Sequence, residues 1–381
     1  MTSEAPGELT TADPGGGALP ADVHELWAPA PGYLNAASMG LPPRGVVAAM
    51  AEDLAGWQAG TVGPGGYDGA VRRSREAFAR LVCVGPDRVA VGPQVSVLVG
   101  TVAASLPDGA RVVVPHGEFT SMVFPFLVHA DRGVTVEHVP LEALADAVRP
   151  GVDVVAFSVV QSADGRLVDV DAVLAAAREV GALTVADLTQ AAGWLPVDAG
   201  RFDVTVTGAY KWLCAPRGSA FLTVGREAQE RVRPILAGWY AGERVWDAVY
   251  GPGMALAADA RRFDVSPAWP VWVGTAPAVE LFADLLRGDP AVAAAVRGYG
   301  GALADRVRVA LDLVPTGLPI LTLPDPDGSR QAALEAAGCR VAARAGGVRL
   351  AFHLWNDEDD VGRVLEACAR RTSAAHGSAP G

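Results

Sequence analysis

Residues 184–218 read TVADLTQAAGWLPVDAGRFDVTVTGAYKWLCAPRG. An apolar run closes on Asp187, and Gln190 follows three positions later. A second run, 203–207, leads through Gly208-Ala209-Tyr210 into Lys211, with Trp212 and Leu213 behind it. Nearly continuous apolar runs of this length are how strands covered on both faces read. A lysine set between an apolar strand and two large apolar residues is an odd place for a solvated charge. Taken singly, Lys211 reads as a surface lysine laying its stem along apolar surface. Asp187 alone reads as a helix cap. Together they sit at successive strand ends, where functional groups collect on a parallel sheet. The pair therefore reads as a site.

Further runs of the same kind occur at 88–91, 111–114, 134–139, 152–159 and 218–224, with helical patterns such as 141–148 and 170–180 between them. Strand alternating with helix predicts an α/β domain around a mostly parallel, seven-stranded sheet. We place this large domain at 45–275, preceded by an arm over 23–44. From 276 the chain turns Ala- and Leu-rich, predicting long helices to 313. Strands are expected at 318–323, 339–344 and 347–352, and helices at 329–337 and 358–371. These make a small α+β domain over 276–372. Residues 1–22 are acidic and rich in Gly and Pro, without the basic start and apolar core of a signal peptide. They read as a tail, as do 373–381.

Composition narrows the function. Half of the 381 residues are hydrophobic, which excludes wholesale disorder. A net charge of −12, with no Lys/Arg run, argues against nucleic-acid or anionic-membrane partners. No apolar run approaches the roughly 18 residues of a membrane span. The four cysteines (83, 214, 339 and 368) form no CxxC pair, so no disulfide framework or metal site is signalled, and a reducing cytoplasm is expected.

The lysine–carboxylate pair suits pyridoxal 5'-phosphate. That cofactor needs an amine for a Schiff base and a carboxylate to keep its pyridine nitrogen protonated. Its phosphate needs a donor cluster at a helix N-terminus. The Asp-x-x-Gln motif, the Asp-led strand and the Lys followed by Ala-Pro-Arg-Gly resemble the class V aminotransferase family of fold-type I pyridoxal phosphate enzymes. That family includes cysteine desulfurases, kynureninases, isopenicillin N epimerase-like proteins and C–S lyases.

The resemblance spans about 30–370 and implies a role for each matched position. Lys211 carries the cofactor and moves the proton, Asp187 pairs with the pyridine nitrogen, Gln190 sits by the phenolic oxygen, and Tyr210 reaches the phosphate. GPQVSVL at 92–98 resembles the phosphate-cradling turn, which implicates Gln94, Val95 and Ser96. HGEFTSMVFP at 116–125 places Phe119 on the pyridine ring, and FSVVQSADG at 157–165 places Gln161 beside the cofactor. GVRLAFHLWNDEDDV at 347–361 makes Arg349 the clamp for a substrate carboxylate, a task suited to a planar guanidinium fork. Asn35, in YLNAASMGLPP, falls in the segment that crosses the site's mouth. The resemblance also implies a homodimer with shared sites, in which Trp239 and Ser266 come from the neighbouring subunit.

A persulfide-forming desulfurase needs a nucleophilic cysteine on a mobile loop ahead of the carboxylate arginine. Cys339 instead opens an apolar strand pattern, CRVAAR, and reads as a buried thiol. What remains is an aminotransferase acting on an α-amino acid, or a β-lyase or epimerase for a specialised one. A catalytically silent binding protein is the non-enzyme alternative. A nicotinamide-dependent dehydrogenase ranks last, because no Gly-x-Gly-x-x-Gly follows the first strand. Tyr67, Trp239, Tyr240 and Trp269 are expected to line the side-chain pocket.

Overall fold

The computed structural model describes residues 19–376, and side chains as far as residue 369. Seven strands form the large sheet: β1 (Val89–Gly92), β2 (Arg111–Pro115), β3 (Thr135–Val139), β4 (Val154–Ser158), β5 (Leu183–Asp187), β6 (Val204–Gly208) and β7 (Ala220–Val224). Their spatial order is β1-β7-β6-β5-β4-β2-β3. Only β7 runs against the rest, pairing antiparallel with both β1 and β6. The parallel pairings β6–β5–β4–β2–β3 carry Asp187 and the end of β6 to the same edge of the sheet.

The alternation of side chains along each strand divides the core in two. Val89, Val91, Val155 and Phe157 join one buried cluster, while Ala90, Val154, Ala156 and Val185 join the other. Both faces are therefore covered, as the continuous apolar runs require. Each fully buried Val or Phe contributes about 1.5–3 kcal/mol relative to exposure. The helices Arg44–Ala59 and Asp68–Leu81 each pack on Trp269–Arg287, and all three feed the first cluster. Helix Val170–Val180 between β4 and β5 is bounded as its sequence dictates. The Asp169 side chain caps the Ala172 N–H, and Gly181 ends the helix at φ +74.

A second, antiparallel sheet has the order β8-β10-β9, with β8 at Ile320–Pro324, β9 at Ala342–Arg344 and β10 at Gly347–Ala351. Helices Pro290–Ala310, Ser329–Ala336 and Glu358–His376 accompany it around its own cluster of buried Leu and Val. The last helix extends beyond residue 371, where the sequence pattern ends. At the other end, Ala21–His24 is already helical. The tail expectation for residues 1–18 and 377–381 lies outside the described residues.

The N-terminal arm joins this small sheet. Tyr33 bridges Arg340 and Asn35 bridges Ala351. The Leu34 carbonyl accepts from the Ala351 N–H at 2.8 Å, and the Gly32 carbonyl from the Arg340 N–H at 2.7 Å. Gly32 is required here: its φ is +80, and a Cβ would lie 2.7 Å from the Gly338 oxygen. Among the described residues no helix is long and apolar enough to cross a membrane.

Candidate active site

A cavity of about 600 Å³ opens at the carboxyl ends of β5 and β6. Asp187, the last residue of β5, lines it, as do Thr189, Tyr210 and Lys211. Asp187 is buried, and Thr189 N–H donates to its Oδ1 at 2.7 Å. Burial raises its pKa to about 6, against the opposing pull of the Thr189 hydrogen bonds and the Lys211 charge. Lys211 is buried too, with Nζ 5.1 Å from the centroid of the Phe119 ring and 5.7 Å from that of Tyr210. Burial lowers its pKa to about 8, with the charges of Arg349, Arg344 and Arg217 adding to the effect and Asp187 opposing it. The amine is thus much closer to its nucleophilic, neutral form near neutral pH than an ordinary lysine.

The opposite wall is the start of helix Val95–Ala103. Pro93, Gln94 and Val95 line the cavity there. No side chain caps this helix, so its first-turn N–H groups remain available to an anion. Ser96 is partly buried and does not line the cavity. The cavity also takes in Arg217, whose guanidinium lies 5.1 Å from the Tyr210 ring centroid, together with Ser121 and Gly218. Pattern reading left out Thr189, Ser121 and Arg217. Thr189 stands two residues after β5, Ser121 in the first turn of the helix that follows β2, and Arg217 in the loop before β7.

Gln190 is committed to the protein. Its Nε2 donates to the Ala37 carbonyl and to Ser162 Oγ, both at 3.0 Å, and its Oε1 accepts from Trp212 Nε1 at 2.7 Å. It therefore ties the N-terminal arm to the lysine loop and is not among the cavity's lining residues. Gln161 is likewise engaged, donating to the Ser158 carbonyl at 3.0 Å and to Glu118 at 3.3 Å. Glu118 is a buried carboxylate absent from the predicted set. It accepts from Phe119 N–H at 2.7 Å, Ser158 N–H at 2.7 Å, Ser158 Oγ at 2.5 Å and Gln161. These bonds pin the loop after β2 to the end of β4 and set the backbone of Phe119.

Arg349, on β10, is 1% exposed. Its Nη1 donates to the carbonyl and hydroxyl of Ser162, and its Nη2 to Ser38 Oγ at 2.8 Å. Its Nε is buried without a partner. Burial, with Arg344 nearby, lowers its pKa to about 10. Its guanidinium is thus held by neutral oxygens in the interior, and Arg349 is not among the residues that line the cavity. The side-chain oxygen of Asn35 is also buried and unpartnered.

Trp239 packs against Tyr240 and Trp246, and Tyr67 stacks on Trp269. None of these lines the cavity within this chain, contrary to the expectation for the side-chain pocket. Ser266 is exposed, one residue beyond Val265, whose N–H donates to the Val91 carbonyl at 3.0 Å. His353, unremarked in the sequence, is buried between Trp212 and Trp355. Its Nδ1 accepts from Leu354 N–H, so Nε2 donates to the Trp212 carbonyl, and burial holds its pKa down at about 4.

A lysine, a carboxylate and a helix N-terminus around one cavity on a mostly parallel sheet define the pyridoxal phosphate class of this fold. Residues 90–288 match the family model for aminotransferase class-V, and the chain belongs to that family. It is therefore a pyridoxal phosphate-dependent enzyme. An uncharacterized aminotransferase of Bacillus subtilis is 26% identical over 318 residues, 78% of this chain and 83% of the relative. A probable cysteine desulfurase of Methanothermobacter thermautotrophicus is 30% identical over 224 residues, 54% of this chain and 56% of the relative. The crystal structure of an Escherichia coli cysteine desulfurase superposes with a TM-score of 0.77 at 19% identity, covering 90% of this chain and 95% of that one.

Proposed function

We propose that the protein acts on the amino group of an α-amino acid as an aminotransferase, with Lys211 both holding the cofactor and carrying the proton. One observation supports this most directly: a buried amine of lowered pKa shares its electrostatic surroundings with Asp187 and with Arg349, a buried guanidinium without a carboxylate partner among the described residues. The residues present fit pyridoxal phosphate. Asp187 would hold the pyridine nitrogen, Phe119 the ring face, and the Val95 helix start, with Tyr210 and Arg217, the phosphate. When bound, the cofactor supplies an electron sink that stabilises negative charge at the substrate's α-carbon. Arg349 orients that carbon by its carboxylate, and Lys211 takes the proton from it.

Cys339 argues against a persulfide mechanism. It is buried, and burial pushes its thiol up to about 11. The working form is a homodimer in the cytoplasm. Exposed Leu54 and Trp57, three residues apart on helix Arg44–Ala59, support a partnered face, and Trp239 and Ser266 would serve the neighbour's site. Four free cysteines support a reducing compartment.

The test is the absorption spectrum of the purified protein with pyridoxal phosphate, before and after a panel of amino acids. Conversion of the lysine-bound band to the amine form of the cofactor, with release of a keto acid, supports transamination. Pyruvate and ammonia without that conversion would replace it with a lyase. No lysine-bound band at all, or a band unchanged in Lys211→Ala, would remove Lys211 from its role.

A further inference from the structure

Two of the arginines near the lysine stand together without a carboxylate between them among the described residues. Three arginines act on Lys211: Arg349, Arg344 and Arg217. The acids acting on this site are Asp187 and Glu118, and Glu118 is enclosed by its four donors. On the reading proposed above, the cofactor's phosphate answers Arg217 and the helix start, and the substrate's α-carboxylate answers Arg349. Arg344 remains. It ends the edge strand β9, beside β10, which carries Arg349. Its Nη2 lies 3.4 Å from Ser38 Oγ, the hydroxyl that also accepts from Arg349 at 2.8 Å. Two guanidinium groups thus converge on one serine of the N-terminal arm. Their other bonds go to the Ala343 carbonyl and to Ser162, and among the described residues neither has a carboxylate partner. Like charges brought this close repel unless an anion joins them.

We infer that the preferred substrate is an α-amino acid whose side chain ends in a second carboxylate, and that Arg344 reads that carboxylate while Arg349 holds the first. This rests on the proposed function and adds the substrate class to it. Arg344 is exposed, so solvent screens the interaction.

The test compares wild type, Arg344→Ala and Arg344→Lys holoenzymes on L-aspartate and L-glutamate against L-alanine and L-leucine. In wild type the acidic substrates have the lower KM. Arg344→Ala raises KM for them by about three- to tenfold, the scale of an exposed charge contact, and leaves the neutral ones unchanged. Arg344→Lys restores part of the preference, and added salt weakens it in wild type. Equal losses on both substrate classes would make Arg344 a second clamp for the α-carboxylate and overturn the inference. So would a wild type without preference for acidic side chains. Calorimetric titration of the same holoenzymes with succinate and with acetate reads binding without turnover. Should no amino acid react while succinate binding still depends on Arg344, the proposed reaction fails and the dicarboxylate site stands. Succinate binding indifferent to Arg344→Ala overturns the site itself.

Discussion

Gly40 lies directly against the lysine loop: its N–H donates to the Tyr210 carbonyl at 2.9 Å, and a Cβ there would collide with the carbonyl oxygen of Lys211. The same arm supplies Ser38 to Arg349 and the Ala37 carbonyl to Gln190. It therefore connects the small sheet to the lysine, and one glycine sets how closely.

Gly40→Ala should displace the lysine loop while the rest of the fold stays intact. The added carbon meets backbone, which cannot rotate away, so an overpacking cost of about 1–3 kcal/mol is expected. Thermal unfolding should show a modest loss, and the rate of cofactor attachment a larger one, of about tenfold or more. Wild-type attachment at a lowered melting temperature would show that the contact supports only the fold.

The lowered pKa of Lys211 has a direct signature in cofactor loading. Only the neutral amine attacks an aldehyde. With the pKa at about 8, attachment to the cofactor-free protein should speed up as pH rises through 7 to 8 and level off above that. An ordinary lysine, titrating near 10.4, would keep accelerating. Stopped-flow absorbance across pH 6 to 10 distinguishes the two. A profile still rising at pH 10 would mean that the burial cost is relieved in solution.

Asp187 works in the opposite direction on stability. Its folded pKa of about 6 lies above the unfolded value of about 3.9. As pH rises, the unfolded chain ionises first, so stability falls between about 4 and 6 and the full cost persists above that. Asp187→Asn removes the buried charge. The cofactor-free variant should melt about 2–4 °C higher than wild type at pH 7.5 and no higher at pH 4. Cofactor retention and turnover should both fall. A variant no more stable than wild type at pH 7.5 would indicate that Thr189 N–H and Lys211 already offset the burial.

The sheet was legible because strands buried on both faces leave continuous apolar runs, and each of the seven expected runs overlaps a strand. Lys211 and Asp187 stood out because core packing alone seldom sets a charge at the end of such a run, whereas Tyr210 and Phe119 came from the family resemblance; all four line the cavity. Other groups had no such signal. The arm meets the small sheet through single bridges at Tyr33 and Asn35, too short to carry a period of two. Gln190 and Gln161 matched by spacing, but their amides answer to Ser162, Trp212 and Glu118, partners set by tertiary packing. Arg344 reads as an ordinary strand-end arginine until the fold brings it to Ser38.

The ion pair Arg75–Asp264 offers a test of how the proposed phosphate-binding turn is held. Both residues are buried, with Nη2 2.6 Å from Oδ2 and Nη1 3.2 Å from Oδ1. Asp264 also accepts from Val91 N–H at 2.8 Å, and Arg75 donates to the Val89 carbonyl. The pair thus grips β1 immediately before the Gln94–Val95 turn. Removing one partner leaves the other charged and buried, at a cost of about 3–5 kcal/mol. Arg75→Met should lower the melting temperature sharply and weaken cofactor binding together with it. The double variant Arg75→Met/Asp264→Leu should recover much of the stability, since a well-packed apolar pair avoids the desolvation penalty. It should not recover cofactor affinity, because the Val91 N–H and the Val89 carbonyl lose their side-chain partners and the turn is no longer fixed. Chemical denaturation gives the first quantity and equilibrium dialysis of pyridoxal phosphate the second. Recovery of both in the double variant would assign the pair to stability alone.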